Sequence, residues 1–309
     1  MPDVAAAVSR DGSTVLAGSA GTPFRIASIT KSFTATAIAE AGLLDDRRRH
    51  LLSHTADLRP ESAELLPEPC RGLWSYSNAG YWEAAAAFDD YSAAVQELVL
   101  GPLGLRSTGF ETPAGAAVGH EPDGPVAHLS YPEWRRPGGG LWSTVEDLVT
   151  YGLAHCERWP ELHEPVTAAL GAHYACGWWN RDGVLDHEGS VGGYQSLLLV
   201  APAERLVLAV LTNSWRGSSL VRHVVEDIGV VPRARDTSSQ AIDGHYAMEP
   251  FDVTVSNGHI VERETDPVTG TLVERTGNVS LDATLMSWRS DFPRPDVGRI
   301  WWTALPRVA

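Results

Sequence analysis

Residues 24–44 read FRIASITKSFTATAIAEAGLL, and they hold the one lysine of a 309-residue chain that otherwise draws every basic side chain from arginine. That lysine, Lys31, stands three residues after Ser28. A surface cation exchanges for arginine without penalty, but a group that must give up its proton does not, because a guanidinium stays charged in proteins. Lys31 is therefore the first candidate for chemistry. Ser28 is expected to open a helix running to about Ala41, with Gly42 as its left-handed stop. Residues at i and i+3 share a helix face, so Ser28 and Lys31 would meet side chain to side chain. At the first turn the backbone N–H of Ser28 would also point outward, ready to donate to an oxyanion. One short stretch would thus carry a nucleophile, a base and half of an oxyanion hole, provided the pKa of Lys31 is depressed. The same spacing also fits a capping serine beside a solvated surface cation.

Around this stretch the pattern is that of an α/β (α+β) protein. Val4 to Val8 and Thr14 to Ala17 alternate about the turn Arg10-Asp11-Gly12, as a hairpin does. Residues from about Asp45 to Glu164 are helical and loop-rich, punctuated by Gly101-Pro102, Glu121-Pro122 and Arg136-Pro137-Gly138-Gly139-Gly140. Strands return at Ala175 to Asn180, Tyr194 to Ala201 and Arg205 to Leu211, followed by a helix at about Leu220 to Ile228. The late strands and the N-terminal hairpin would share one antiparallel sheet with helices packed on it. After Val231-Pro232-Arg233-Ala234-Arg235-Asp236 come short alternating runs, Phe251 to Ser256, His259 to Arg263, Thr271 to Arg275 and Arg299 to Ala304, with turns at Asn257-Gly258 and Thr269-Gly270. The expected organisation is a domain over 1–235, with a helical insert at about 45–165, and a small all-β domain over 236–309.

Composition narrows the function. The formal net charge of -15 would repel nucleic acid and anionic membrane, so neither is expected as a partner. No run approaches the about 20 apolar residues of a membrane span, and the first residues lead into a strand pattern without a leader pattern, so a cytoplasmic location is expected. Cys70, Cys156 and Cys176 are odd in number and lack CxxC spacing, which suggests reduced thiols. His155 and His163, with Glu157 and Glu161, show no recognised metal spacing and fall in a helix and loop read as solvated. Asn278-Val279-Ser280 fits a glycosylation pattern, and the eleven tryptophans read as core and cleft lining.

Two further segments carry chemistry. In Trp74-Ser75-Tyr76-Ser77-Asn78-Ala79-Gly80, Tyr76 and Asn78 are two apart, on one side of an extended or turn segment. A phenol beside a cation can relay a proton to a leaving group, and an amide can orient both Lys31 and a substrate carbonyl. A packed aromatic in a turn fits equally well. In Leu185-Asp186-His187-Glu188-Gly189-Ser190-Val191-Gly192-Gly193, Gly189 would let a substrate lie against the backbone, and the Ser190 N–H would complete the oxyanion hole. His187 would offer a polar or cationic wall near Tyr76. Alone, a histidine beside a glycine-rich turn also fits a structural role.

Taken in order, Ser28-Ile29-Thr30-Lys31, Tyr76-Ser77-Asn78 and His187-Glu188-Gly189 resemble the three-motif signature of the penicillin-recognising serine hydrolases. The Tyr-Ser-Asn form resembles the class C β-lactamase branch, with its DD-carboxypeptidases, D-aminopeptidases and esterases, and histidine in the third motif is closer to the D-peptidase members. Leu51-Leu52-Ser53-His54-Thr55, Gly101-Pro102-Leu103-Gly104-Leu105, Gly139-Gly140-Leu141-Trp142-Ser143-Thr144 and Leu211-Thr212-Asn213 also match, over about residues 2 to 230. The resemblance implies a β-lactamase/transpeptidase-like fold. It implies Ser28 as acylated nucleophile, Lys31 as activator, Tyr76 as proton relay, Asn78 and His187 lining the substrate site, and the amides of Ser28 and Ser190 as the oxyanion hole. It implies no metal and no organic cofactor. The segment Leu44 to His50 and the helix after Tyr76-Ser77-Asn78 are shorter than in relatives, which would remove walls around the site. The implied activity is hydrolysis of an amide or ester, with a small molecule or D-amino-acid-containing peptide as substrate. The alternative is an acyltransferase or peptide cyclase using the same acyl-Ser28. A β-lactamase, or a protein that only binds β-lactams or peptides, is a weaker fit.

Overall fold

The computed structural model describes residues 3–128, 130–169, 172–217, 220–221, 223–224, 243–257, 259–265, 272–278, 289–290, 297–300 and 303–308. They form two compact units, one of Met1–Ser53 with Tyr81–Arg233, the other of His54–Gly80 with Ala234–Ala309.

The first unit is built on a sheet of eight strands among the described residues, in the order Ser13–Gly18, Val4–Arg10, Leu206–Thr212, Tyr194–Ala201, Val184–Val191, Trp179–Arg181, Ala172–Tyr174, Thr167–Ala169. Every pairing is antiparallel, and the N-terminal hairpin joins the late strands through Val4↔Thr212 to Arg10↔Leu206. Side chains alternate between the faces of a strand. Leu198, Val200, Val207 and Ala209 therefore enter one apolar cluster with Phe33, Leu148 and Tyr151, while Leu197, Leu199, Leu208 and Val210 enter another with Val221. Burial on both faces is why Tyr194–Ala201 and Leu206–Thr212 read as unbroken apolar runs.

Of the expected strand at Ala175 to Asn180, Trp179 and Asn180 are strand, within Trp179–Arg181, whereas residues 175–178 form a turn after the strand Ala172–Tyr174, closed by the Ala175 N–H donating to the Trp178 carbonyl at 2.8 Å. Within the span of the expected insert, helices run from Asp46–Leu52 to Pro160–His163, with short strands at His120–Glu121, Gly124–Pro125 and Trp142–Ser143. Helix α1, Thr30–Glu40, is preceded by a single 3-10 turn, Ala27–Ile29, that carries Ser28. Residues 30–38 of α1 are all buried, so this helix is interior rather than amphipathic.

The second unit holds a four-stranded antiparallel sheet, Gly244–Met248, Phe251–Ser256, His259–Thr265 and Leu272–Asn278, and a three-stranded one, Arg289–Ser290, Val297–Ile300 and Thr303–Pro306. Residues 54–80, expected within the helical insert, group here: Leu66 and Cys70 share one apolar cluster with Tyr246, Met248, Val253 and Leu305. Residues 225–228 of the expected last helix, the junction at 231–236, Gly258 and 269–270 of the expected turns, and Val279 and Ser280 of the glycosylation pattern lie outside the described residues. Cys70, Cys156 and Cys176 are free thiols. No described helix is long and apolar enough to cross a membrane.

Candidate active site

Ser28 is half-buried on a turn whose preceding residue, Ala27, has φ +44°. A non-glycine residue in the left-handed region is strained and persists only where its surroundings over-determine it. Here they do. The Ile26 N–H donates to the Leu141 carbonyl at 3.1 Å, and the Ile26 carbonyl accepts from Ser196 Oγ at 2.9 Å and from the Ile29 N–H at 3.1 Å. On the far side the turn rests on Gly189. A Cβ at that position would lie 2.2 Å from the Ile26 carbonyl oxygen and 2.4 Å from Ser196 Oγ. The structure gives a reason for this glycine that the sequence reading did not offer: it admits the backbone that presents Ser28.

Lys31 is fully buried, which removes the reading of a solvated surface cation. Its Nζ lies 3.3 Å from Ser28 Oγ, donates to the Gly138 carbonyl at 2.5 Å and sits 5.3 Å from the centre of the Tyr81 ring. The segment Arg136–Gly139 is docked on α1 by a second carbonyl, that of Pro137, which accepts from Thr34 Oγ1 at 2.8 Å, and the Leu141 N–H donates to Thr30 Oγ1 at 3.1 Å. The Gly138 carbonyl is a site group that reading the sequence missed. Its signal was the Pro-Gly-Gly-Gly run just ahead of the Leu141-Trp142-Ser143-Thr144 match.

His187 lies on the same face of its strand as Gly189, fully buried. Its Nδ1 is 2.7 Å from the Glu188 carbonyl, which can only accept, so Nδ1 carries the proton and Nε2 accepts from the Tyr174 hydroxyl at 3.1 Å. Burial, and then Lys31 whenever its amine is protonated, push the His187 pKa well below the usual histidine value. Of the polar or cationic wall expected, burial favours the polar, neutral imidazole. Ser190 is exposed, and its hydroxyl accepts from Gln195 Nε2 at 2.8 Å. Residues 187–191 pair with Tyr194–Ala201 on one side, whereas the other neighbour, Trp179–Arg181, pairs only as far as Asp186. Ser190 therefore lies on a strand segment with one ladder edge open among the described residues.

Tyr76 and Asn78 belong to the second unit, each half-buried. The His54 ring packs on the Tyr76 ring at 4.1 Å between centres, and His54 Nδ1 accepts from the Ser77 N–H at 3.0 Å. Ser77 Oγ donates to the Arg59 carbonyl at 2.7 Å and accepts from the Gly80 N–H at 3.2 Å, capping the helix Asn78–Ala85. The Pro60 carbonyl accepts from the N–H groups of Asn78 at 2.8 Å and Ala79 at 3.1 Å, and Asn78 Nδ2 donates to Glu61 Oε1. His54 and Glu61 are the supports that reading the sequence did not single out. His54 stood in the Leu51 to Thr55 match, but nothing local marked Glu61.

The sequence profile of the beta-lactamase family matches residues 47–226, more than half of the chain. The chain belongs to the beta-lactamase family. It is thereby a member of the serine-hydrolase superfamily of β-lactamases and transpeptidases. A human protein, beta-lactamase-like 1, is 31% identical over 173 residues, covering 47% of this chain and 34% of its own length. Protein flp of Staphylococcus aureus (strain N315) is 25% identical over 187 residues, covering 53% of this chain and 37% of its own. The chain thus spans about a third of the length of the curated relatives it matches. Among solved structures, SurE with D-Leu aligns at TM-score 0.68 and 20% identity, over 99% of this chain and 95% of that one. A class C β-lactamase from Rhodobacter sphaeroides aligns at TM-score 0.65 and 17% identity, over 74% and 94%. These two likenesses establish the shared fold.

Proposed function

We propose that this beta-lactamase-family chain is a serine acyl-enzyme hydrolase of amides or esters, acting on a small molecule or peptide that carries a D-configured residue. The observation that carries the reading is the fully buried Lys31 amine 3.3 Å from Ser28 Oγ. Taking an ammonium out of water disfavours its charged form. In the neutral amine one N–H goes to the Gly138 carbonyl, which leaves the nitrogen lone pair for the Ser28 hydroxyl proton. Ser28 Oγ then bonds to the acyl carbon, the carbonyl oxygen takes the negative charge, and the amides of Ser28 and Ser190 are assigned to receive it. Tyr76 is assigned the delivery of a proton to the leaving group, and Asn78 and His187 the holding of the acyl chain. Water then releases the acid. D-configuration is supported by the likeness to SurE, solved with D-Leu, which spans nearly the whole of this chain.

Mass spectrometry after incubation with a fluorophosphonate tests the nucleophile. A single adduct on Ser28 in the native chain, absent in Ser28→Ala, is expected; labelling elsewhere, or none, rejects the reading. A panel of D- and L-aminoacyl esters then tests stereochemistry, and equal turnover of both hands removes that part. Because release depends on which nucleophile reaches the acyl carbon first, the same assay with added amines separates hydrolysis from acyl transfer or cyclisation.

A further inference from the structure

We infer that Glu61 is a positioning residue that fixes which way the Asn78 carboxamide faces, so that Asn78 serves the reaction as a hydrogen-bond acceptor. The inference rests on the reading above, in which Asn78 belongs to the site. An ionised carboxylate only accepts hydrogen bonds, so the Asn78 atom that meets Glu61 Oε1 must be the amide nitrogen. Oδ1 is thereby turned away from Glu61. The loop that carries Glu61 is closed by the Arg59 N–H donating to the Glu64 carbonyl at 2.9 Å and the Leu66 N–H donating to the Asp57 carbonyl at 2.7 Å. The residues just before it, Arg59 and Pro60, take the Ser77 hydroxyl at 2.7 Å and the Asn78 and Ala79 amides at 2.8 and 3.1 Å. Main chain and side chain of Asn78 are therefore oriented by the same three-residue stretch. A side chain whose two polar ends are alike in shape but opposite in hydrogen-bonding character is given one orientation by a neighbour of fixed polarity.

A donor–acceptor reversal in the full chain tests this, read as the acylation rate with a p-nitrophenyl ester of an N-acetyl-D-amino acid and, separately, as fluorophosphonate labelling of Ser28. Asn78→Asp alone keeps an acceptor but sets two carboxylates against each other, so its acylation rate should fall and should recover as the pH is lowered, when the pair shares a proton. Adding Glu61→Gln supplies a donor to Asp at 78. The double variant should regain most of the rate at neutral pH and lose that pH dependence. A double variant no faster than Asn78→Asp means that Asn78 is needed as a donor and overturns the inference. Glu61→Gln alone is nearly isosteric and guards against misfolding of the other variants. It should melt with the native chain, keep fluorophosphonate labelling and lose about tenfold in acylation rate, the scale of one charge-assisted hydrogen bond. A native rate in that variant also overturns the inference. Failure of the native chain to label at Ser28 would instead reject the nucleophile itself.

Discussion

Lys31 has room for a primary amine and little else: its Nζ already lies 2.5 Å from the Gly138 carbonyl, with the Tyr81 ring beside it. Lys31→Arg keeps a positive charge but brings a larger, planar group that does not deprotonate. Its acylation rate should fall by about 10² to 10⁴, the range that a positioned general base supplies; burst kinetics with an activated ester measure it, and near-native bursts would remove the base role. Gly189→Ala tests the support of the turn. The new Cβ would meet the Ile26 carbonyl and Ser196 Oγ, main chain and a pinned hydroxyl that cannot both move. About 1–3 kcal/mol of stability should be lost, as for overpacking, and acylation should fall further than stability, because the displaced group carries Ser28. Equal melting temperature and equal rate would contradict the close approach. The Ser28–Lys31 pair was legible in the sequence because it is local, one helical turn. The reason for Gly189 was not, since the backbone that fills its space lies more than 160 residues earlier.

At the scale of elements, α1 explains why an interior helix here contains so many hydroxyls. Ser32 Oγ donates to the Ile29 carbonyl at 2.8 Å, Thr34 Oγ1 meets the Tyr91 hydroxyl at 2.7 Å, and Thr36 Oγ1 meets the Tyr151 hydroxyl at 2.9 Å and His155 Nε2 at 3.2 Å. Hydroxyls satisfied this way are buried without the penalty of an unpaired polar group. The chain of contacts runs on from His155 Nδ1 to His163 Nε2 at 2.9 Å, so of a pair read from sequence as solvated His155 is fully buried and His163 half-buried. The pair is hidden in the sequence because His155 ends the helix Val145–His155 and His163 ends the separate helix Pro160–His163, so no single element's period relates the two positions. Burial, and then the neighbouring His163, lower the His155 pKa well below the usual value, and burial brings His163 from 6.5 to about 4. Between those two values the unfolded chain binds protons that the folded chain refuses, so stability falls as pH falls through that window and is unaffected by these groups above it. The melting temperature should therefore drop from pH 7 to pH 4 more steeply in the native chain than in His163→Asn. Parallel curves would exclude the pair as the cause. The strands show the opposite case of legibility: Phe251–Ser256 and Tyr194–Ala201 match the sequence reading because alternation and apolar runs are local signals, whereas the break at Ala175 to Trp178 is tied to distant main chain, the Cys176 N–H donating to the Leu162 carbonyl at 3.2 Å and the Gly177 N–H to the Leu52 carbonyl at 3.3 Å.

For the molecule as a whole, the C-terminal sheets read from sequence as a small separate domain, yet they form one compact unit with the segment that carries Tyr76 and Asn78. Leu66 and Cys70 from that segment are buried in the same cluster as Tyr246, Met248, Val253, Val255, Ile260, Ala304 and Leu305. Ser75, next to Tyr76, accepts from the Ala304 N–H at 3.1 Å through its hydroxyl. These partners lie some 170 to 240 residues apart in the chain, beyond the reach of any periodicity argument. Leu66 and Cys70 of 54–80 thus have their cover in the C-terminal sheets, and this burial adds to the hydrogen bonds from His54, Arg59, Pro60 and Glu61 that hold the motif. Removing residues 234–309 should therefore impair acylation while leaving Ser28, Lys31, Gly138 and Gly189 untouched in sequence. Because a truncated chain can fail simply by aggregating, the sharper experiment keeps full length and opens a cavity in this cluster with Leu66→Ala, expected to cost about 2–5 kcal/mol. If the cluster orders the Tyr76–Asn78 segment, acylation with the D-aminoacyl ester falls and regains rate on cooling, as the unit refolds. Ester turnover by Leu66→Ala that matches the native chain at every temperature below the main unfolding transition would show that the sheets serve some end other than support of this motif.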